Sequence, residues 1–110
     1  MPLPAGILRE TVTVEYPTES RNALGESVQT WHTFATRRAS VVADGYAEMA
    51  RRQQIGGMAS HTVRMRYLPG LTGKMRIRWD SRDGRILYIS SVVEKGFREE
   101  HELACEEQAT

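Results

Sequence analysis

Cysteine occurs once, at Cys105, so no internal disulfide framework is available and the thiol suits a reducing compartment. Long apolar runs are missing too. The opening residues, Met-Pro-Leu-Pro-Ala-Gly-Ile-Leu-Arg, offer neither a charged leader nor a hydrophobic stretch. That argues against a secretory signal or a membrane span and for a soluble protein made in the cytoplasm. Aromatic side chains make up only 7% of the chain and few of them alternate with basic residues, which disfavours a base-stacking platform for nucleic acid. Excess charge of either sign is also lacking. With 15 basic against 14 acidic side chains the net charge is +1, so the molecule as a whole does not attract nucleic acid. At 110 residues the chain is expected to form one domain over 1–110, too small for a core plus a deep cofactor cleft.

Strand signals fill most of this length. In His61-Thr-Val-Arg-Met-Arg-Tyr67 the apolar Val63, Met65 and Tyr67 alternate with Thr62, Arg64 and Arg66, and in Met75-Arg-Ile-Arg-Trp79 the apolar set alternates with Arg76 and Arg78. Each strand has one face that must be buried and an arginine face that resists burial. A third strand follows the Asp83-Gly84 pair, which suits positive φ, and runs from Arg85 to Val93. Upstream, Arg9 to Tyr16 reads as a strand, Pro17 to Gly25 as a polar loop, and Ser27 to about Thr36 as a second strand. The imperfect alternation of Val28, Trp31 and Phe34 in that strand suggests a bulge. Arg37 to Ala43 makes a third strand and Glu99 to Glu107 a last one, with an amphipathic helix as the alternative for the latter.

Asp44 to Gln54 breaks the β rhythm. Its Ala, Glu, Met, Arg and Gln residues favour helix, with Tyr46, Met49 and Ala50 on one face, Asp44 as the cap and Gly56-Gly57 as the stop. The expected fold is therefore mainly β, a small antiparallel barrel or sandwich with one short helix inserted at 44–60 and a flexible N-terminus over 1–8. Trp31, Phe34, Val41, Val63, Met65, Tyr67, Ile77, Trp79 and Ile89 are its expected core.

No catalytic constellation emerges. His32, His61 and His101 are too widely spaced to share a metal, and His101 and Cys105, four apart, lie about 13 Å from each other on a strand. Gly56-Gly57 and Gly70 to Lys74 lack the spacing of a phosphate-binding loop, and no carboxylate pair stands out. We therefore expect no catalytic, cofactor or metal site. The candidate contact residues are Arg64, Arg66, Arg76 and Arg78, whose guanidinium groups suit phosphate or carboxylate, and the adjacent Arg51 and Arg52 of the insert. Charge is also distributed in blocks, −2 over residues 1–36, +7 over 37–85 and −4 over 86–110, which would suit head-to-tail contact between copies.

The order of Leu8-Arg-Glu-Thr-Val-Thr-Val14, Asn22-Ala-Leu-Gly25, Val28-Gln-Thr-Trp31, Ala39-Ser-Val41, His61 to Tyr67, Pro69-Gly70, Met75-Arg-Ile77 and Ile86-Leu-Tyr-Ile89 spans nearly the full chain. It resembles the head–tail joining proteins, also called head-closure or stopper proteins, of long-tailed bacteriophages and gene transfer agents. The resemblance implies a small β-barrel with an inserted helix and long mobile loops. It also implies a structural role without catalysis: a ring of six or twelve copies at the particle neck, between the portal or adaptor ring and the tail terminator or tail tube. Such a ring closes the exit channel on packaged DNA and provides the tail docking surface. The rival expectation is a small nucleic-acid-binding barrel that uses the Arg64, Arg66, Arg76 and Arg78 face, and a third is a small hydrolase.

Overall fold

Period-two alternation sets Val12 with Val14, Val63 with Met65, Ile77 with Trp79, Leu87 with Ile89, and Leu103 with Cys105, and a sheet closed on itself hides all five pairs at once. The computed structural model, which describes residues 5–44 and 58–108, has that arrangement. Six strands, β1 (Glu10–Arg21), β2 (Ser27–Ala43), β3 (Met58–Arg66), β4 (Arg76–Trp79), β5 (Arg85–Lys95) and β6 (Glu100–Gln108), form a closed antiparallel barrel in the order β1-β2-β3-β6-β5-β4. The five pairs and Ala39 form the buried core, which Leu68 and Leu71 of the β3–β4 loop complete. In the N-terminal segment Ala5–Ile7 form a 3-10 turn and Leu8 is buried.

Local chemistry explains where the chain turns. Between β1 and β2 the Asn22 side-chain oxygen accepts the amides of Leu24 and Glu26, and Gly25 takes φ 80°. Asp83 and Gly84 both adopt positive φ before β5, as their pairing leads one to expect. Gly70 is required by a close approach. Its φ is 87°, and the Phe34 ring lies 3.0 Å from where a Cβ would stand.

Several expectations are revised. The loop assigned to Pro17–Gly25 shrinks to residues 22–26, because β1 continues to Arg21 with Pro17 in it, a residue that an edge strand tolerates. The strands read at Ser27–Thr36 and Arg37–Ala43 are one 17-residue strand, since no turn residue separates them. The bulge anticipated there is present. Val14 pairs with Ala35 but Glu15 with Thr33, which makes Phe34 the extra residue and leaves it 37% exposed, outside the core. Trp31, Val41 and Tyr67 are half-buried, and Tyr67 falls just past the end of β3, stacked on His101 at 4.8 Å. The remaining expected core residues, Val63, Met65, Ile77, Trp79 and Ile89, are buried. The last segment is a strand, not a helix. Residues 45–57, which hold most of the expected helix together with Arg51 and Arg52, lie outside the described residues. Asp44 is not helical: its amide donates to the Ser60 carbonyl at 2.9 Å, and its carboxylate accepts the Ser60 and Thr62 hydroxyls at 2.5 and 2.7 Å.

Trp79 is 6% exposed, donates its indole N–H to Glu10 at 2.7 Å and meets the His61 ring edge-on. Trp79→Ala is expected to cost about 3–5 kcal/mol in urea unfolding, and an unchanged midpoint would refute its structural role. Buried His61 and His101 both titrate below 6.5, chiefly because burial disfavours the imidazolium. The unfolded chain therefore binds more protons than the folded one as pH falls below about 6.5. Stability present at neutral pH is accordingly lost on acidification towards pH 5. Melting curves should show this, with a shallower slope for His101→Asn, whose amide oxygen can still accept the Leu68 N–H that His101 Nδ1 accepts at 3.1 Å.

Candidate functional site: an arginine face and a projecting arm

The barrel's closure brings the arginine face opposite acidic residues from distant parts of the chain. β4 lies between β1 and β5, with Arg76 opposite Glu15 and Arg78 opposite Thr13. Glu15, 6% exposed, accepts from Arg76 Nε at 2.8 Å and from Arg78 at 3.2 Å. Arg78 also donates to Asp80 at 2.8 Å, while the Thr13 hydroxyl donates to that carboxylate at 2.5 Å. Burial pushes the Asp80 carboxyl up, yet the Thr13 hydroxyl and the Arg78 guanidinium hold it below its usual range. Arg76 further stacks over the Trp31 ring at 4.2 Å. On β3, Arg64 reaches Glu100 of β6 at 3.2 Å. Of the four arginines singled out in the sequence, Arg66 is the exposed one with no ion pair among the described residues.

The structure thus places Arg76 and Arg78 together, sets Arg64 and Arg66 on β3 across the barrel from them, and gives three of the four an intramolecular carboxylate. The positive middle block of the sequence meets the negative blocks within one chain. Arg85 of the middle block pairs with Glu107 of the last, while Lys95 and Glu102 pair within the last block at 3.0 Å. The Arg85 hydrogen bonds hold the Glu107 carboxyl below its usual range.

One adjacency was invisible in the spacing. Barrel register sets His61 opposite Cys105, 44 positions later, but the thiol is fully buried, with no path to a substrate. Among the described residues no group of three or more His, Cys, Asp or Glu is placed to hold a metal ion.

Sequence reasoning also missed the β1–β2 arm. β4 covers only Val12–Glu15 of β1, and β3 covers only Ala39–Ala43 of β2, so the hairpin from Tyr16 to about Phe34 runs on as two strands. This gives the molecule extents of 50 × 31 × 25 Å. Alternating strand directions put the tip of this arm, the 67–75 loop and the β5–β6 turn at the same end of the barrel, with the base of the insert at the other. Apolar side chains are exposed at the arm end: Leu24 at 82% and Phe97 at 88%, with Tyr16, Val28 and Phe34 between them and the barrel. Exposed apolar groups concentrated in this way mark a contact surface. The unexpected length of β2 is the signal that could have revealed it.

Glu15→Gln removes the charge that Arg76 and Arg78 share and is expected to destabilise the barrel by about 1–3 kcal/mol, whereas Arg66→Ala should stay within about 0.5 kcal/mol of the parent. Equal effects of the two substitutions in urea titration would show that the ion-pair cluster is not structural.

No match was found among curated proteins. Among solved structures, the chain is similar to protein SF1141 from Shigella flexneri 2a, at 25% identity over 97% of this chain and 98% of that one, with a TM-score of 0.75. It shares the fold of a chain from the virion of a native gene transfer agent particle, at 16% identity over 92% and 94% of the two chains and a TM-score of 0.61. A family model described as phage head completion protein matches residues 3–108.

Proposed function

Because this chain belongs to the phage head completion protein family, a family of structural virion components, we propose that it is a head–tail connector acting as one domain over 1–110. Six or twelve copies form a ring at the neck of a phage or gene transfer agent particle, close the exit channel on packaged DNA and present the surface on which the tail docks. The ring's neighbours are the portal or adaptor ring on the head side and the tail terminator or tail tube on the other. The observation that carries this reading is the family match over nearly the whole chain. The fold shared with a chain of a gene transfer agent virion supports it.

The barrel's two unlike ends suit a part that stands between two different rings. One end carries the arm with exposed Leu24 and the β5–β6 turn with exposed Phe97, and the other the base of the insert. Arg51 and Arg52 of the insert, and Arg66 on the barrel wall, are the arginines proposed to contact neighbouring subunits or the lumen. Arg64, Arg76 and Arg78 are committed to Glu100, Glu15 and Asp80 and hold the barrel instead. That commitment favours the connector over a nucleic-acid-binding barrel using the same four residues.

Deletion of the chain from its parent particle should yield DNA-filled heads without tails, visible by electron microscopy, with restoration by the chain supplied in trans. Tailed, infective or transducing particles from the deletion would defeat the proposal. The double substitution of Arg51 and Arg52 by Glu should leave the melting temperature of the isolated protein unchanged and reduce the yield of completed particles.

A further inference from the structure

The wall made by the start of β1, the second half of β2 and β3 is basic. Ala39, Val63 and Met65 face the core, so the alternate residues Arg38, Ser40 and Val42 of β2 and Thr62, Arg64 and Arg66 of β3 face outward. Ser40 pairs with Arg64 and Ala39 with Met65, and Arg38 and Arg66 are the residues immediately beyond that last pair. Arg9 lies close by, lining a groove with Glu10 and Ser40. Arg9, Arg38 and Arg66 are exposed, and none has an ion pair among the described residues. Two of the three guanidinium groups are held from behind. Arg9 Nε donates to the Gly6 carbonyl and Arg38 Nε to the Leu8 carbonyl, each at 3.2 Å. Buried Leu8 anchors this segment, and its amide donates to the Ala5 carbonyl at 3.1 Å. With Nε so engaged, the two terminal amino groups of each arginine remain, the end of the fork that fits a phosphate or a carboxylate.

We propose that this wall faces the lumen of the ring and holds the sugar–phosphate backbone of packaged DNA through Arg9, Arg38 and Arg66; the inference rests on the ring reading above and names the ligand of its inner surface. Phosphate contacts carry no sequence information, so they would hold whichever sequence reaches the neck. A ring repeats the three arginines in every copy, and contacts that are weak one at a time then act together.

Charge elsewhere on the barrel selects DNA over a second copy of the chain. The carboxylates next to the wall are engaged, Glu10 by the Trp79 indole and Glu100 of β6 by Arg64. In the order β1-β2-β3-β6-β5-β4 the opposite wall is β5 and β4. There β5 turns Ile86, Tyr88, Ser91, Val93 and Lys95 outward, none of them acidic, and β4 turns out Arg76 and Arg78. The opposite wall of a neighbouring copy therefore has no acidic strand face to offer. Cations set side by side without an intervening carboxylate repel one another, a cost that a polyanion removes.

The test uses complete particles. Ser40, which stands among the arginines, is replaced by a diazirine-bearing amino acid, and in a second preparation Tyr88 on the opposite wall is replaced in the same way. Irradiation should join the chain to DNA from position 40 and not from position 88. With the chain present at the neck, three results would overturn the assignment and leave the ring reading standing: an adduct with protein alone from position 40, no adduct there, or DNA adducts equally from both positions. Absence of the unsubstituted chain from the necks would end both. A second set covers the case in which the probe disturbs folding. Arg9→Gln, Arg38→Gln and Arg66→Gln together should leave the melting temperature unchanged and make particles lose DNA about tenfold faster on warming in about 0.15 M salt. The same three positions changed to Lys should lose it at close to the parental rate, because a phosphate accepts either cation. A glutamine variant that melts like the parent and keeps its DNA as long would also overturn the proposal.

Discussion

Closure of the barrel through β4 is the constraint on which the other features depend. Four residues, Arg76–Trp79, supply the ladder to both β1 and β5. Ile77 and Trp79 send their side chains inward to the core, while Arg76 and Arg78 turn outward to Glu15. Without this strand β1 and β5 would face each other as open edges, and Glu15 would be a buried carboxylate with no cation, a costly arrangement. Because β4 is so short, it also fixes where pairing stops, and so where the arm begins.

The same closure settles the use of charge. A sequence divided into negative, positive and negative blocks could satisfy them between molecules or within one. Antiparallel neighbours β1 with β4, β3 with β6 and β5 with β6 bring the blocks together inside the chain. Glu15, Glu100 and Glu107 are thereby paired with arginines of the positive block. Among the described residues, the exposed cations without a carboxylate partner include Arg37 and Arg38 on β2 and Arg66 on β3.

Alternation made the barrel largely legible in the sequence. Val63, Met65, Ile77, Trp79, Leu103 and Cys105 lie on the buried faces that period two assigns, and Asp83-Gly84 turns where its backbone preference allows. Two things were harder to see. Pro17 and the polar residues after it suggested a loop, because composition does not reveal that a strand is at an edge, where proline is harmless. Phe34 looked like core, and its exposure follows from a one-residue register shift that depends on its partner strand. The arginine face was recognised as a face, but its carboxylates come from residues as far as 63 positions away, a proximity only the closed topology provides.

Asp44 has a consequence of another kind. Its amide and carboxylate tie it to Ser60 and Thr62, so the chain leaves β2 and re-enters β3 between two points held together by hydrogen bonds. The entropy of spanning such fixed ends grows slowly with length, by about 0.6 kcal/mol for each doubling. The 13 residues at 45–57 can therefore be lengthened, shortened or exchanged with little effect on the barrel. For an evolving lineage, that makes this site a socket in which contact segments can be replaced while the scaffold that presents them is kept.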